Sequence, residues 1–517
     1  MFRGAVEYRN NINTNRRRTE NQSKAGSVMN EKPVAGEGSS PGANSGTGPQ
    51  PGTGTETGPQ QVNNDMTRGN VFRTLLSFAI PLIITGLLQQ MYYIADSVIV
   101  GNLLGEEALA AVGVNTPILN VFIFIITGLV SGYTILLSHF YGAREYQKIA
   151  RLSNTFLMIT LVLAGVIAIL GFFLKQNILA LLNTPAEILK PAGDYLAIVF
   201  CGLPLMVLYN LFGSMLRSIG DSKTPLFAIV LSTAINILLD LTFIGVLNWG
   251  IRGAAIATII SQAVSCLYLF LSIYRDHPFF MIIFRKDQWD WRLFCEGFRL
   301  GLPRVLQSSV ASIGSVLLQN IMNSFGVNVV TAIVTAYRID SLTILPVLNM
   351  SAAISIFTGQ NIGAHNMERA KEGLRKGITI ILIVSVAITT FVVLAGRILM
   401  KAFGVSDEIA ALGQHFFRIC AIFYPVLGLQ QAYLGFLQGN KDVVFAAVAG
   451  LLMLAVRVAM SYLLAGFGLP GIEVIALSEM AGWTLGTVIC FVRYRRKEWS
   501  YRNPANGGDE KQEYMAG

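Results

Sequence analysis

Two aspartates stand inside otherwise apolar runs of this chain. Asp96 lies in QQMYYIADSVIVG and Asp240 in STAINILLDLTFIG. A carboxylate is costly to hold in such surroundings and usually marks a functional site. Asn236 precedes Asp240 by four residues, so on a helix the amide and the carboxyl share a face. Gln89, Tyr93 and Asp96 are spaced four and three apart and share a face of their own. Thr258, in IATIISQ, adds a hydroxyl. Two carboxyls, an amide and a hydroxyl suit either of two tasks. They are oxygen ligands for a hard cation such as Na⁺, and a desolvated carboxyl beside a like-charged neighbour can also hold a proton. Pro81 lies about four turns before Asp96 and removes a backbone hydrogen bond, so a kink there could couple cation binding to bending. Gln89, Tyr93 and Asn115 are the expected lining of a substrate cavity.

These residues need elements that cross a membrane. The chain has 517 residues, 53% hydrophobic and only 13% charged, with a mean hydropathy of +0.54. That is about half the charge of a soluble protein, too little to cover a water-facing surface. Twelve apolar runs long enough to span a bilayer are expected, at roughly 72–101, 108–140, 147–175, 186–217, 225–247, 252–274, 292–324, 329–361, 369–400, 407–438, 442–466 and 470–494. No strand-like alternation argues for a barrel. Before them, PGANSGTGPQPGTGTETGPQ (41–60) has nothing large to bury, so residues 1–66 are expected to form a disordered tail. No apolar run follows Arg16, Arg17 and Arg18 closely enough for a signal peptide.

Loop charges orient the chain. Arg144, Lys148, Arg151, Arg217, Lys223, Arg275, Arg285, Lys286, Arg292, Arg299, Arg369, Lys371, Arg375 and Lys376 fall on one set of loops. The opposite set carries fewer basic residues, partly offset by Glu106, Glu107, Glu187, Asp407 and Glu408. The denser set is expected in the cytoplasm. Both termini then lie there too, consistent with the formal charge of +9 and the basic run at 493–502.

The pattern also repeats. Gly142-Ala143 and Gly363-Ala364, Glu187-Ile188 and Glu408-Ile409, and Pro204 and Pro425 each differ by 221 positions; Pro81 and Pro303 differ by 222. Two halves of six spans follow, at 67–280 and 281–497, with a C-terminal tail at 498–517. An even span number makes the repeats parallel, arranged about an axis along the membrane normal. The second half lacks the acidic constellation. Its first span offers Gln307 and Gln319, and the partner of the Asn236/Asp240 span carries Arg457, for which Glu479 is a candidate acceptor. Arg338 and Asp340 are expected near each other or near a helix end.

No chemistry of other kinds is encoded. The five cysteines form no CxxC pair, the four histidines have no ligand spacing, and no nucleophile–base pair or phosphate loop appears, so an enzyme is not expected. The chain resembles the multidrug and toxic compound extrusion (MATE) family through DSVIVG at Asp96, the YGARE and IGAHN repeats, NILLD at 236–240 and GIRGAAIATIISQ at 250–262. The resemblance covers about 70–495. It implies an all-α polytopic membrane protein with twelve transmembrane helices in two six-helix lobes. It also implies a V-shaped outward-facing cavity and export of drugs or toxic organic cations in exchange for Na⁺ or H⁺. By position, Asp96, Asn236, Asp240 and Thr258 resemble the family's N-lobe cation site and Pro81 its bending proline. The NorM-like branch also uses an acid in the seventh helix and one in the tenth; here the seventh has none mid-span. No cofactor is expected, nor any nucleic-acid partner; a monomer in the plasma membrane is. The competing reading is a lipid or lipid-linked oligosaccharide flippase of the same superfamily, which fold alone does not separate.

Overall fold

A computed structural model of the chain describes residues 65–280 and 289–497. The expected tails lie outside the described residues, apart from Asp65 and Met66. So do the basic loop residues Arg285 and Lys286.

Every regular element among the described residues is helical, as it must be where lipid offers no hydrogen bonds to a backbone. Six helices of the first half are long and apolar enough to cross a bilayer: Val71–Leu104, Glu106–Gly142, Tyr146–Leu181, Ala186–Ser218, Lys223–Val246 and Gly250–Asp276. In the second half come Trp291–Asn323, Met367–Ala402, Asp407–Gly439, Val443–Gly466 and Gly471–Arg496. The eighth span is not the continuous helix expected over 329–361. It is a pair, Val327–Thr343 and Leu345–Gly363, bent by 42°. Pro346, at the start of the second piece, cannot donate to the preceding turn. The tenth span carries a 3₁₀ turn, Ala421–Phe423, before Pro425 for the same reason. There the Ala421 carbonyl accepts from the Tyr424 N–H and from the Thr389 hydroxyl, the latter at 2.7 Å.

The internal repeat is visible in the loops. Residues with left-handed backbone recur 221 positions apart: Gly105 and Gly326, Arg144 and His365, Asn183 and Gly404, Gly220 and Lys441. Lipid-facing positions recur too. Val162 and Phe173 of the third span are 64% and 75% exposed; Ile383 and Leu394 of the ninth are 62% and 77% exposed.

The two halves are not separate packing units. The start of the first span buries Val71, Leu75, Phe78 and Leu82 among Met350, Phe357, Leu374 and Phe436 of the second half. Arg369 clamps its entry by donating to the carbonyls of Met66, Arg68 and Gly69. Reciprocally, Leu293, Phe294 and Leu300 of the seventh span pack with Tyr133, Phe156 and Phe280 of the first half.

The halves also meet backbone to backbone at the end of the molecule that bears the basic loops. A Cβ on Gly142 would lie 2.7 Å from the Gln360 carbonyl carbon, and one on Gly363 2.8 Å from that of His139. Beside this backbone-to-backbone crossing, His139 Nε2 lies 2.7 Å from the Gly439 carbonyl oxygen. A carbonyl only accepts, so His139 carries a proton on Nε2. Gln360 Nε2 donates to the Ser218 carbonyl at 2.7 Å. His139 and Gln360 differ by 221 positions, as do Ser218 and Gly439. The second and eighth spans therefore make the same hydrogen bond to the opposite half, one from each side of a pseudo-twofold axis.

Candidate functional site

The first and fifth spans pack together and bring Asp96 near Asp240, close enough for their carboxyl groups to interact. Asp240 is the last residue of the α-helical part of its span. A π-helical segment, Leu241–Val246, follows at once, a local widening often found at functional sites. Asn236, one turn earlier, is fully buried, as is Asp240. Thr258 joins from the sixth span, where its hydroxyl is 3.4 Å from the Tyr92 hydroxyl. Tyr195 of the fourth span stands within electrostatic reach of both carboxyls.

The site is short of donors. Among the described residues no hydrogen-bond partner reaches Asp96 Oδ1, either carboxyl oxygen of Asp240, or either polar atom of the Asn236 amide. A buried polar atom left unpaired costs about 1–3 kcal/mol. Two ionised carboxyl groups in contact would also repel each other. A proton shared between them, or a small cation on their oxygens with the Asn236 and Thr258 oxygens nearby, answers both problems.

Other expected residues fall in different places. Gln89 reaches Tyr209 of the fourth span. Tyr93 is 54% exposed, its ring edge-on to Tyr92 at 5.5 Å. Asn115 departs from the expectation that it lines a cavity. It has no exposed surface, and its amide donates to the carbonyls of Ala111 (2.9 Å) and Ala192 (3.1 Å), tying the second span to the fourth. The first span runs through Pro81 as one helix. Tyr92 and Tyr195 were not singled out from the sequence. Tyr92 stands four residues before Asp96, a usable signal; Tyr195 has none, because only packing brings the fourth span to the carboxyls.

The second half holds a different cluster. Arg457 and Glu479 form a buried ion pair, the acceptor expected for that arginine. Tyr337 bridges them, donating to Glu479 Oε1 and accepting from Arg457 Nη2, both at 3.0 Å. Asp340, near the break in the eighth span, accepts from the Tyr424 hydroxyl. Arg338 is exposed two residues away, on the other side of the helix.

A duplicated helical bundle with a carboxyl pair inside the membrane region defines a class, the two-lobed polytopic membrane transporters. Comparison with known proteins gives the family. The family model described as MatE matches twice, over residues 81–242 and 303–463, once in each half. The chain belongs to the MatE family, the multidrug and toxic compound extrusion transporters. It is 31% identical over 365 residues to "Probable multidrug resistance protein YpnP" of Bacillus subtilis (strain 168), covering 71% of this chain and 82% of that protein. It is 23% identical over 407 residues to "Multidrug export protein MepA" of Staphylococcus haemolyticus (strain JCSC1435), covering 78% and 89%. The fold matches a solved structure, "Crystal structure of MATE in the bent conformation", with a TM-score of 0.78 at 24% identity, over 84% of this chain and 96% of that one.

Proposed function

We propose that the protein is a secondary antiporter that exports amphipathic drugs or toxic organic cations, driven by inward movement of Na⁺ or H⁺ through the Asp96–Asp240 site. The observation that carries this reading is the pair of neighbouring carboxyls, with buried oxygens that no donor reaches among the described residues. The names of the relatives, a multidrug resistance protein and a multidrug export protein, support the cargo class. The basic loops orient the Gly142–Gly363 crossing toward the cytoplasm of a cell membrane, with both termini on that side. Two reciprocal hydrogen bonds tie the halves together at that end, which supports a cavity opening on the opposite face.

Pro81 takes the role of a hinge. The first span lies in the core of the second half before about Leu82, and carries Asp96 against the fifth span beyond it. Neutralising Asp96 therefore acts on a helix that both lobes hold. Coupling requires that cation and drug favour different states of the protein. Drug efflux from everted vesicles under a Na⁺ gradient alone and a pH gradient alone identifies the ion. Asp96→Asn, which keeps shape and removes charge, should fold normally and lose energised efflux at least tenfold; near-normal efflux from that variant refutes the mechanism.

A further inference from the structure

The 221-residue register between the halves runs through the Asp96–Asp240 site itself. The sixth and twelfth spans begin at Gly250 and Gly471, which are that far apart. By the same offset Asn236 of the fifth span corresponds to Arg457 of the eleventh, Asp240 to Ser461, and Thr258 of the sixth to Glu479 of the twelfth. Three of the four residues at the first-half site therefore have polar or charged counterparts at matching places on matching helices. These counterparts meet as well. Arg457 pairs with Glu479, and Ser461, fully buried, lies one turn from Arg457 on the same helix face.

The surrounding groups match in kind. The first half brings two carboxyls, Asp96 and Asp240, within reach of two tyrosines, Tyr92 and Tyr195. In the second half the counterpart of Asp96 is Leu317, and the second carboxyl comes instead from Asp340 of the eighth span, within electrostatic reach of Glu479. Two tyrosines attend these acids too, Tyr337 on Glu479 and Tyr424 on Asp340. The difference between the halves is one charge. Among the described residues no basic side chain pairs with Asp96 or Asp240. Arg457, which keeps its charge, sets a guanidinium on Glu479, with the Tyr337 hydroxyl and ring against it. That fixed cation cancels a buried negative charge, which the first pair leaves to a mobile ion or proton.

We propose that Arg457 is a tethered cation: its guanidinium fills, in the second half, the place that a cation takes in the first. The second half then holds a site for a hard monovalent cation of the Na⁺ class that is permanently occupied from within, and ion movement is coupled through the first half alone. The proposal rests on the reading of the Asp96–Asp240 pair as a cation site.

The test is thermal unfolding of the full chain in detergent at alkaline pH, in NaCl and in choline chloride of equal concentration. All variants carry Asp96→Asn, which silences the first-half site. With Arg457 in place, the midpoint should be the same in both salts. Arg457→Asn, which supplies the residue type that the first half has there, should lower the midpoint in choline and regain about 2 °C or more in Na⁺. Adding Glu479→Gln should abolish that gain, and Arg457→Lys, which keeps a tethered charge, should show none. Arg457→Gln, which preserves more of the side-chain volume, goes through the same comparison as a second variant. A Na⁺-dependent gain that requires Glu479, in either variant, supports the proposal. The absence of such a gain in both, or a midpoint recovered only by acidification, overturns it and leaves Arg457–Glu479 as a structural pair. Because every variant lacks Asp96, this failure leaves the first-half site and export standing. Near-normal efflux from Asp96→Asn alone would count against the first-half site and leave the Na⁺ result of the second half as measured.

Discussion

Gly142→Ala tests whether the crossing of the second and eighth spans is the closed gate. The added methyl carbon would lie 2.7 Å from the Gln360 carbonyl carbon and 2.9 Å from its Cα. Carbon atoms in optimal contact stand about 3.5–4.0 Å apart, so the two helices must separate by roughly 1 Å. The obstacle is backbone, which cannot swing aside as a side chain can. Overpacking of this kind costs about 1–3 kcal/mol. Here it falls on the closed state alone, because the contact disappears when the helices part. The ratio of open to closed at this end should rise by about 5- to 150-fold, the range that matches that energy. Spin labels on Lys148→Cys and Lys371→Cys, with the exposed Cys201 and Cys295 replaced by serine, report the distance between halves by pulsed electron resonance. Wild type should give one short distance; Gly142→Ala should add a longer one. Gly363→Ala should do the same, because its Cβ meets the His139 backbone in the symmetry-related way. Gly165→Ala, with nothing within 4 Å of the new methyl, is the control and should match wild type. An unaltered distance distribution in Gly142→Ala would show that this crossing does not hold the closed state.

Gln360→Leu removes the buried bond to the Ser218 carbonyl and should cost the closed state about 1–3 kcal/mol, read by the same spin-label pair; an unshifted distribution would mean the bond is not part of the gate. Glu479→Gln leaves Arg457 buried without its counter-charge and should destabilise the protein by about 3–5 kcal/mol, seen as a lower midpoint of thermal unfolding in detergent. Adding Arg457→Met should recover most of that loss, and failure of the double variant to recover would remove the ion pair as the cause.

Much of the architecture can be read along the chain. Spans are set by local composition, and the repeat by residues such as Pro81 and Pro303 or Gly142 and Gly363. Asp96, Asn236 and Asp240 stand out because charge is rare in apolar runs. The breaks in the eighth and tenth spans were not expected from the sequence, although Pro346 and Pro425 stand at them, and the 42° bend depends on what packs around Pro346.

Other features were beyond the sequence for one physical reason: periodicity tells which residues share a helix face, and not what that face meets. Asn115 looks like any polar residue in a span, yet tertiary packing turned its amide onto the Ala192 carbonyl and buried it. The second and seventh spans are continuous apolar helices in sequence, but only the folded chain shows Gly132 of the second against the backbone of Gly297 and Gly301 of the seventh. By itself the sequence determined a membrane protein of two repeated six-span halves with a pair of embedded aspartates. Only the tertiary structure decided that those aspartates become neighbours, that the first helix of each half packs into the other half, and that the second and eighth spans cross backbone to backbone at one end. Each of these depends on distances between helices far apart in the chain, set by the packing of many side chains together.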